Sequence, residues 1–203
     1  YDVALAVPFE RVRLHVYLQH PFEDRSGMRL KNWRDELVGL SIARRQPGRF
    51  VDRLTYEFIH TKHQSGPVHP PGEDNYFNHA TYRTGWTHHG LTIGTPLIYP
   101  HPDAERRRTL GIASNRLVGH HLGVAGHVRP GVRYRALATY TRNYGTYKRP
   151  FDAVHPQLSL LLEARAALAD RVELRAAVGA DAGSAYDERV GMRIGVAYRG
   201  GAR

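Results

Sequence analysis

Histidine, the commonest metal ligand in proteins, is concentrated in one part of this 203-residue chain. Six of the 13 histidines lie between residues 62 and 101, and the adjacent pairs are His88-His89 and His120-His121. Adjacent residues of a strand point to opposite faces, so neither pair can chelate as a unit on a strand. The spacing of the other histidines matches no known zinc or non-haem iron site. The sequence therefore predicts no metal site and no cofactor.

Nucleophilic catalysis is the second chemistry that these residues could perform. A hydrolase needs serine or another nucleophile beside histidine, with an aspartate or asparagine to orient the histidine. Ser65, His63 and Asn78 supply these residue types, but nothing in their spacing requires a triad. We therefore expect a protein that is not an enzyme, with a hydrolase acting on lipid or glycan as a remote alternative.

The elements that must position these residues show strict two-residue alternation of apolar and polar side chains. Successive side chains of a strand point to opposite faces, so each alternating run has one apolar face and one charged face. Runs of roughly nine to eleven residues also have the length that crosses a bilayer as a tilted strand. The predicted strands cover residues 2–8, 11–19, 37–44, 50–61, 116–127, 132–142, 157–168, 171–180 and 189–199.

Residues 158–178 present a conflict, because they are rich in Leu, Ala, Arg and Glu, which are all good helix formers. Alternation and a charge-free face favour two strands joined by a tight turn at Ala169-Asp170, and we predict strands there. No run of about 18 apolar residues occurs, so the sequence predicts no transmembrane helix.

The connections between the predicted strands alternate between short and long. The longer ones cover 20–36, 62–115, 143–156 and 181–188. Short periplasmic turns and long external loops are typical of outer-membrane barrels, so we predict an all-β antiparallel transmembrane β-barrel. Single-chain bacterial barrels have an even number of strands. Nine strands therefore predict that others precede Tyr1, and that residues 1–203 are the C-terminal part of one larger barrel.

The formal net charge is +10, and the only lysines are Lys31, Lys62 and Lys148. A positive surface suits an anionic polymer such as nucleic acid or acidic polysaccharide. Arginines are spread over the polar faces of most predicted strands, apart from a basic patch at Arg106–Arg108. Such a spread argues against nucleic-acid binding, which uses a focused patch.

Five stretches between residues 26 and 147 carry a resemblance to a known family. They read SGMRLKNWRDELVGLS (26–41), YEFIHTKHQSGP (56–67), DNYFNHATYRTGWTHHGLTIGTPLI (74–98), NRLVGHHLGV (115–124) and TRNYGTY (141–147). They are similar to the capsule assembly proteins of the Wzi family, and the stretch 74–98 is the most specific.

The resemblance implies an outer-membrane β-barrel lectin of about eighteen strands, of which nine would be half. It also implies that the protein binds capsular polysaccharide and assists capsule assembly or attachment at the cell surface, without a chemical step. Its partners would be capsular polysaccharide and outer-membrane lipid, and the full-length barrel would be a monomer. A porin that conducts polysaccharide or solutes is the alternative function.

Residue types that suit a glycan occur in the two longest connections. Sugar rings stack on Trp and Tyr, while Asn, His and Arg bond to hydroxyl or acidic groups. In the other reading of the same residues, they only fix a lumen-plugging loop, with packed aromatic rings and internal hydrogen bonds. The candidate polysaccharide-binding residues are Asn75, Tyr76, Asn78, His79, Tyr82, Arg83, Trp86, His88, His89, Trp33, Arg34 and Asp35.

Overall fold

The computed structural model describes residues 1–46, 48, 50–66, 74–101 and 111–200. Its elements, in chain order, are β1 (Asp2–Pro8), β2 (Val12–Gln19), α1 (Arg25–Met28), β3 (Glu36–Arg44), β4 (Arg53–His60), β5 (Thr87–His88), β6 (Leu91–Thr92), β7 (Tyr99–Pro100), β8 (Ile112–Ser114), β9 (Leu117–Arg129), β10 (Val132–Gly145), β11 (Pro150–Ala169), β12 (Val172–Gly183) and β13 (Arg189–Tyr198). The predicted basic patch Arg106–Arg108 lies outside the described residues.

Nine strands form one antiparallel sheet in the order β1-β2-β3-β4-β9-β10-β11-β12-β13. Every strand predicted from alternation is present, so the all-β antiparallel fold is confirmed. The Leu- and Ala-rich residues 158–178 lie in β11 and β12, because pairing on both sides outweighs their helix propensity. Within the described residues the sheet is open, since β1 and β13 each pair with a single neighbour.

The strand register places apolar side chains of all nine strands on one face. A single cross-strand row runs through Leu5, Val16, Leu40, Tyr56, Leu122, Ala138, Leu160, Ala180 and Val190. The described residues leave much of this apolar face exposed. Val190 is 81% exposed and Met192 is 77% exposed. His120 interrupts the face, where its Nδ1 lies 2.8 Å from the Tyr56 hydroxyl oxygen.

The opposite, polar face carries ion pairs and hydrogen bonds between strands. Tyr17 bonds to Glu57 across β2 and β4, and the Arg135 guanidinium donates to Glu163 at 2.7 Å. Both contacts join neighbouring or nearby strands, so they reinforce the register that the apolar face sets.

The connections lie at two edges of the sheet. The turn edge holds residues 9–11, 130–131, 170–171 and the described residues between β3 and β4, which are 45, 46, 48 and 50–52. The loop edge holds 20–35, 146–149, 184–188 and the described residues between β4 and β9, which are 61–66, 74–101 and 111–116. The prediction of a long external segment at 143–156 is wrong, because β10 continues to Gly145 and β11 begins at Pro150. Asn143 Nδ2 donates to the His155 carbonyl, and Gly145 has a φ of +77°, so a register shift allows a four-residue connection.

The buried core lies at the loop edge. Ile98, Ile112 and Leu117 form its centre, and Ile59, Phe77 and Leu97 pack against it. The described parts of segment 62–115 are folded over this core, with β5 paired to β6 and β7 paired to β8. Among the described residues, no helix is long and apolar enough to cross a membrane.

Candidate functional site

Asp35 is the centre of a buried polar network at the loop edge, and its side chain is fully buried. Asp35 Oδ1 lies 3.0 Å from His60 Nδ1 and accepts the His63 backbone N–H at 2.8 Å. Asp35 Oδ2 accepts the Gln64 backbone N–H at 2.6 Å and the Tyr76 hydroxyl at 2.8 Å. One carboxylate therefore ties the start of β3 to the end of β4 and to the long connection that follows.

Tyr76 extends this network toward the segment 20–35. Its hydroxyl accepts from Asn32 Nδ2 at 2.7 Å, and Asn32 Nδ2 also donates to the Pro21 carbonyl at 2.9 Å. Burial of the phenol, followed by the nearby charge of Asp35, raises the pKa of Tyr76 far above its usual range. Tyr76 is therefore a neutral donor that positions the loop.

Three asparagine amides fasten the stretch 75–78 to the strands beneath it. Asn75 Oδ1 accepts from Asn115 Nδ2 at 2.7 Å and from Asn78 Nδ2 at 3.0 Å. Asn78 Oδ1 in turn accepts the Ile112 backbone N–H at 2.8 Å. The side chains of Asn75 and Asn78 thus hold the loop conformation.

Ser65 is fully buried and its hydroxyl is held by two oxygen partners. Ser65 Oγ donates to Asp74 Oδ2 at 2.6 Å and lies 2.7 Å from Ser26 Oγ. Neither partner is a histidine, and the Asn78 side chain bonds to Asn75 and Ile112 instead. The geometry therefore does not assemble Ser65, His63 and Asn78 as a catalytic triad.

A cleft of about 1000 Å³ opens above this network. One wall comes from the residues before α1 and carries Phe22, Glu23 and Asp24. The opposite wall comes from the β10–β11 connection and carries Lys148 and Arg149. The floor and the remaining side come from the long connection, with Asn75, Tyr76, Phe77, Asn78, His79, Ala80, Arg83 and Trp86.

Glu23 gives the cleft a titratable group near neutral pH. Its Oε2 accepts the Asn75 backbone N–H at 2.7 Å. Partial removal of water from the carboxyl group raises the pKa of Glu23 to about 7. The hydrogen bond from Asn75 opposes this rise in pKa, whereas the nearby charges of Asp74 and Asp24 add to it. Basic Arg83, Lys148 and Arg149 line the same cleft, so it presents both signs of charge.

The structure divides the predicted site residues into three groups. Six of them line the cleft: Asn75, Tyr76, Asn78, His79, Arg83 and Trp86. Asp35 lies buried beneath it as a structural residue. The other five are exposed and do not line the cleft: Trp33, Arg34, Tyr82, His88 and His89.

Sequence reasoning missed Phe22, Glu23, Asp24, Lys148 and Arg149 as cleft residues. They lie in two segments that were predicted to be external, 20–36 and 143–156, so the signal available was their location in the chain. Their residue types alone did not single them out, because charged and aromatic residues are common in exposed connections.

The histidine pair His88-His89 is not on one regular strand. His88 ends β5, while His89 has a φ of +48°, and the two rings meet edge to face with centroids 4.2 Å apart. Among residues 1–46, 48, 50–66, 74–101 and 111–200, no group of three or more His, Asp or Glu side chains could hold a metal ion.

Comparison with known proteins returns no relative of this chain. No protein-family model, no curated protein and no solved structure matches it.

Proposed function

We propose that this chain belongs to an outer-membrane β-barrel protein of the Wzi type and that its loop-edge cleft binds capsular polysaccharide. The observation that carries the proposal is the composition of the cleft. Aromatic Trp86, amide and imidazole groups, and guanidinium groups converge there on one concave surface. Glycans are recognised by stacking on aromatic rings and by hydrogen bonds from such groups.

The rigidity of the cleft floor supports the same function. Asn75, Asn78 and Tyr76 are all fixed by hydrogen bonds to residues distant in sequence. A surface that is ordered before it meets its ligand loses little conformational entropy on binding. Exposed Trp86 and Arg83 then stand at the edge of a fixed floor, where a flexible polymer can contact them.

The sheet supports a location in a lipid bilayer. Its apolar face spans nine strands, and side chains such as Leu5 and Leu162 are 63% and 56% exposed. Soluble monomers rarely expose a contiguous apolar surface of this size, whereas a lipid-facing barrel wall does. The cleft lies at one edge of that wall, where it would face water outside the hydrocarbon layer.

The length of β11 supports a position of the cleft outside the membrane. β11 contains 20 residues, which at about 3.3 Å per residue exceed the roughly 30 Å hydrocarbon core even when tilted. In the proposed orientation its loop-edge end projects from the bilayer, next to the connection that carries Lys148 and Arg149 into the cleft lining.

Capsule retention in cells that carry Trp86→Ala together with Arg83→Gln tests the proposal. We expect capsule to shift from the cell-bound fraction to the medium, while the protein keeps the heat-modifiable gel mobility of a folded barrel. His88→Ala together with Tyr82→Ala is the matched control, since both residues are exposed in the same segment but outside the cleft lining. Equal retention in the two double variants would refute glycan binding by the cleft.

A further inference from the structure

The polar face of the sheet holds three arginines in one cross-strand row near the turn edge. Arg133 of β10 is directly opposite Arg165 of β11, and Arg165 is directly opposite Arg175 of β12. Like charges at directly opposite positions destabilise an antiparallel sheet. The row therefore needs either internal compensation or an external counter-charge.

Only two of these three arginines have a carboxylate partner among the described residues. Glu173 Oε2 accepts from Arg133 at 3.1 Å, and Glu173 Oε1 accepts from Arg175 Nε at 2.7 Å. Both oxygens of this carboxylate are thereby used by the outer arginines. The side chain of Arg165, which is exposed between them, forms no hydrogen bond or ion pair with any residue that the structure describes.

A shallow cavity of about 340 Å³ adjoins the row at the turn edge. Its lining includes Arg133, Arg171, Arg199, His127, Asp170 and Glu173. Arg171 directly precedes β12 and Arg199 directly follows β13, and the two are neighbours because the Arg199 N–H donates to the Arg171 carbonyl at 2.9 Å. The volume lies within the usual range for small-ligand pockets, about 300–1000 Å³.

These residues form an arginine cluster, defined as Arg133, Arg165, Arg171, Arg175 and Arg199. Two carboxylates, Asp170 and Glu173, lie in or beside it, so five positive and two negative charges leave a formal excess of three. Guanidinium forks bind carboxylates in a bidentate manner. Strands lie about 4.8 Å apart, so the three-strand row alone spans roughly 10 Å, and one small anion cannot engage it all.

We infer that the arginine cluster is a second binding site, separate from the cleft, for a polyanionic glycan segment whose sugars bear carboxylates. The cluster faces away from the apolar face, which excludes lipid headgroups as its ordinary ligand under the membrane orientation proposed above. The inference stands on the polar face itself and does not require the cleft to bind glycan.

Fluorescence anisotropy of a labelled oligogalacturonate with the full chain in detergent micelles tests this inference. All variants are compared in a Trp86→Ala background, so that the contribution of the cleft is weakened and is the same in every variant. Arg171→Gln with Arg199→Gln should weaken binding roughly tenfold, as expected when two solvent-exposed ion pairs are lost. Arg13→Gln with Arg53→Gln is the matched control, because it removes the same charge from the same face on strands β2 and β4.

Equal weakening in the two double variants would show that net charge alone attracts the polymer, and the inference would be wrong. Undetectable binding in the Trp86→Ala background, or full displacement by millimolar inorganic phosphate, would also overturn it. Arg165→Gln is a test that does not depend on a loss of folding. Removing the central arginine relieves like-charge repulsion, so the sheet should be as stable as before or more stable. Its oligogalacturonate affinity should fall severalfold, and an unchanged affinity would count against the site.

Discussion

Replacing Asp35 with asparagine tests whether the buried network holds the cleft together. The two oxygens of Asp35 receive four polar contacts, from His60, His63, Gln64 and Tyr76. Asparagine has nearly the same shape but offers only one acceptor oxygen. Its NH₂ group must therefore face a backbone N–H donor at whichever oxygen position it occupies, His63 at Oδ1 or Gln64 at Oδ2.

The expected loss of stability follows from that broken contact and from removal of the negative charge that the remaining contacts share. A hydrogen bond to a charged group contributes about 1.5–3 kcal/mol, and the side chain is fully buried, so water cannot replace the lost acceptor. The Tyr76 hydroxyl can rotate, which recovers part of one contact. We expect Asp35→Asn to lower the free energy of unfolding by about 3–5 kcal/mol.

Tyr76→Phe should cost less, about 1–2 kcal/mol, because Asp35 Oδ2 keeps the Gln64 N–H at 2.6 Å. Urea unfolding of the chain in detergent micelles, followed by near-ultraviolet circular dichroism and heat-modifiable mobility, measures both changes. Asp152→Asn is the control, since Asp152 is an exposed carboxylate of β11. If Asp35→Asn lies within about 0.5 kcal/mol of this control, the network does not carry the stability we assign to it.

Two further predictions concern the cleft wall and its charge. Gly111→Ala should lower the free energy of unfolding by about 1–3 kcal/mol, because at its φ of +61° a Cβ atom would lie 2.4 Å from Asn78 Oδ1. Gly131→Ala is the control in the same unfolding assay, because its φ of +77° is similar while the nearest atom, Ala167 Cβ, is 3.7 Å away. An equal or larger loss in the control would contradict the steric argument. Binding of a carboxylated glycan to the cleft should strengthen as pH falls from 8 to 6, because Glu23, with a pKa of about 7, becomes neutral and stops repelling the ligand. Glu23→Gln should bind with an affinity that hardly varies over that range in a titration by anisotropy, and an unchanged pH profile in this variant would refute the role of Glu23.

Two-residue alternation was sufficient to predict the sheet. It located all nine strands, including β11 and β12, where helix propensity favoured the opposite result. The reason is physical: a strand paired on both sides gains hydrogen bonds and a segregated apolar face, and these outweigh the small propensity differences between Leu, Ala, Arg and Glu. The error at 143–156 came from reading a bulge as the end of two strands, because Gly145 and Pro150 look like loop residues in sequence.

The candidate site could be predicted only in part. The residue types suited to a glycan identified Trp86 and Arg83, which line the cleft. They also selected Asp35, which a sequence pattern cannot distinguish from its exposed neighbours Trp33 and Arg34. Burial of Asp35 depends on partners 25 to 41 residues away, His60 and Tyr76, and only the fold brings these together.

The buried apolar core and the exposed apolar face of the sheet lie in different parts of the molecule. The fully buried apolar residues in the described part of the chain, such as Ile98, Ile112 and Leu117, lie at the loop edge, while the sheet's own apolar face remains largely exposed. A soluble sheet of this kind would lose the burial that offsets the entropy of ordering its backbone. An apolar surrounding would supply that burial for the strands, whereas the cleft, which faces water, must be fixed by its own hydrogen bonds. In the proposed membrane location, a bilayer and a buried polar network would therefore stabilise different parts of the same chain. For this reason, substitutions in the network should disturb the cleft while leaving most of the sheet intact.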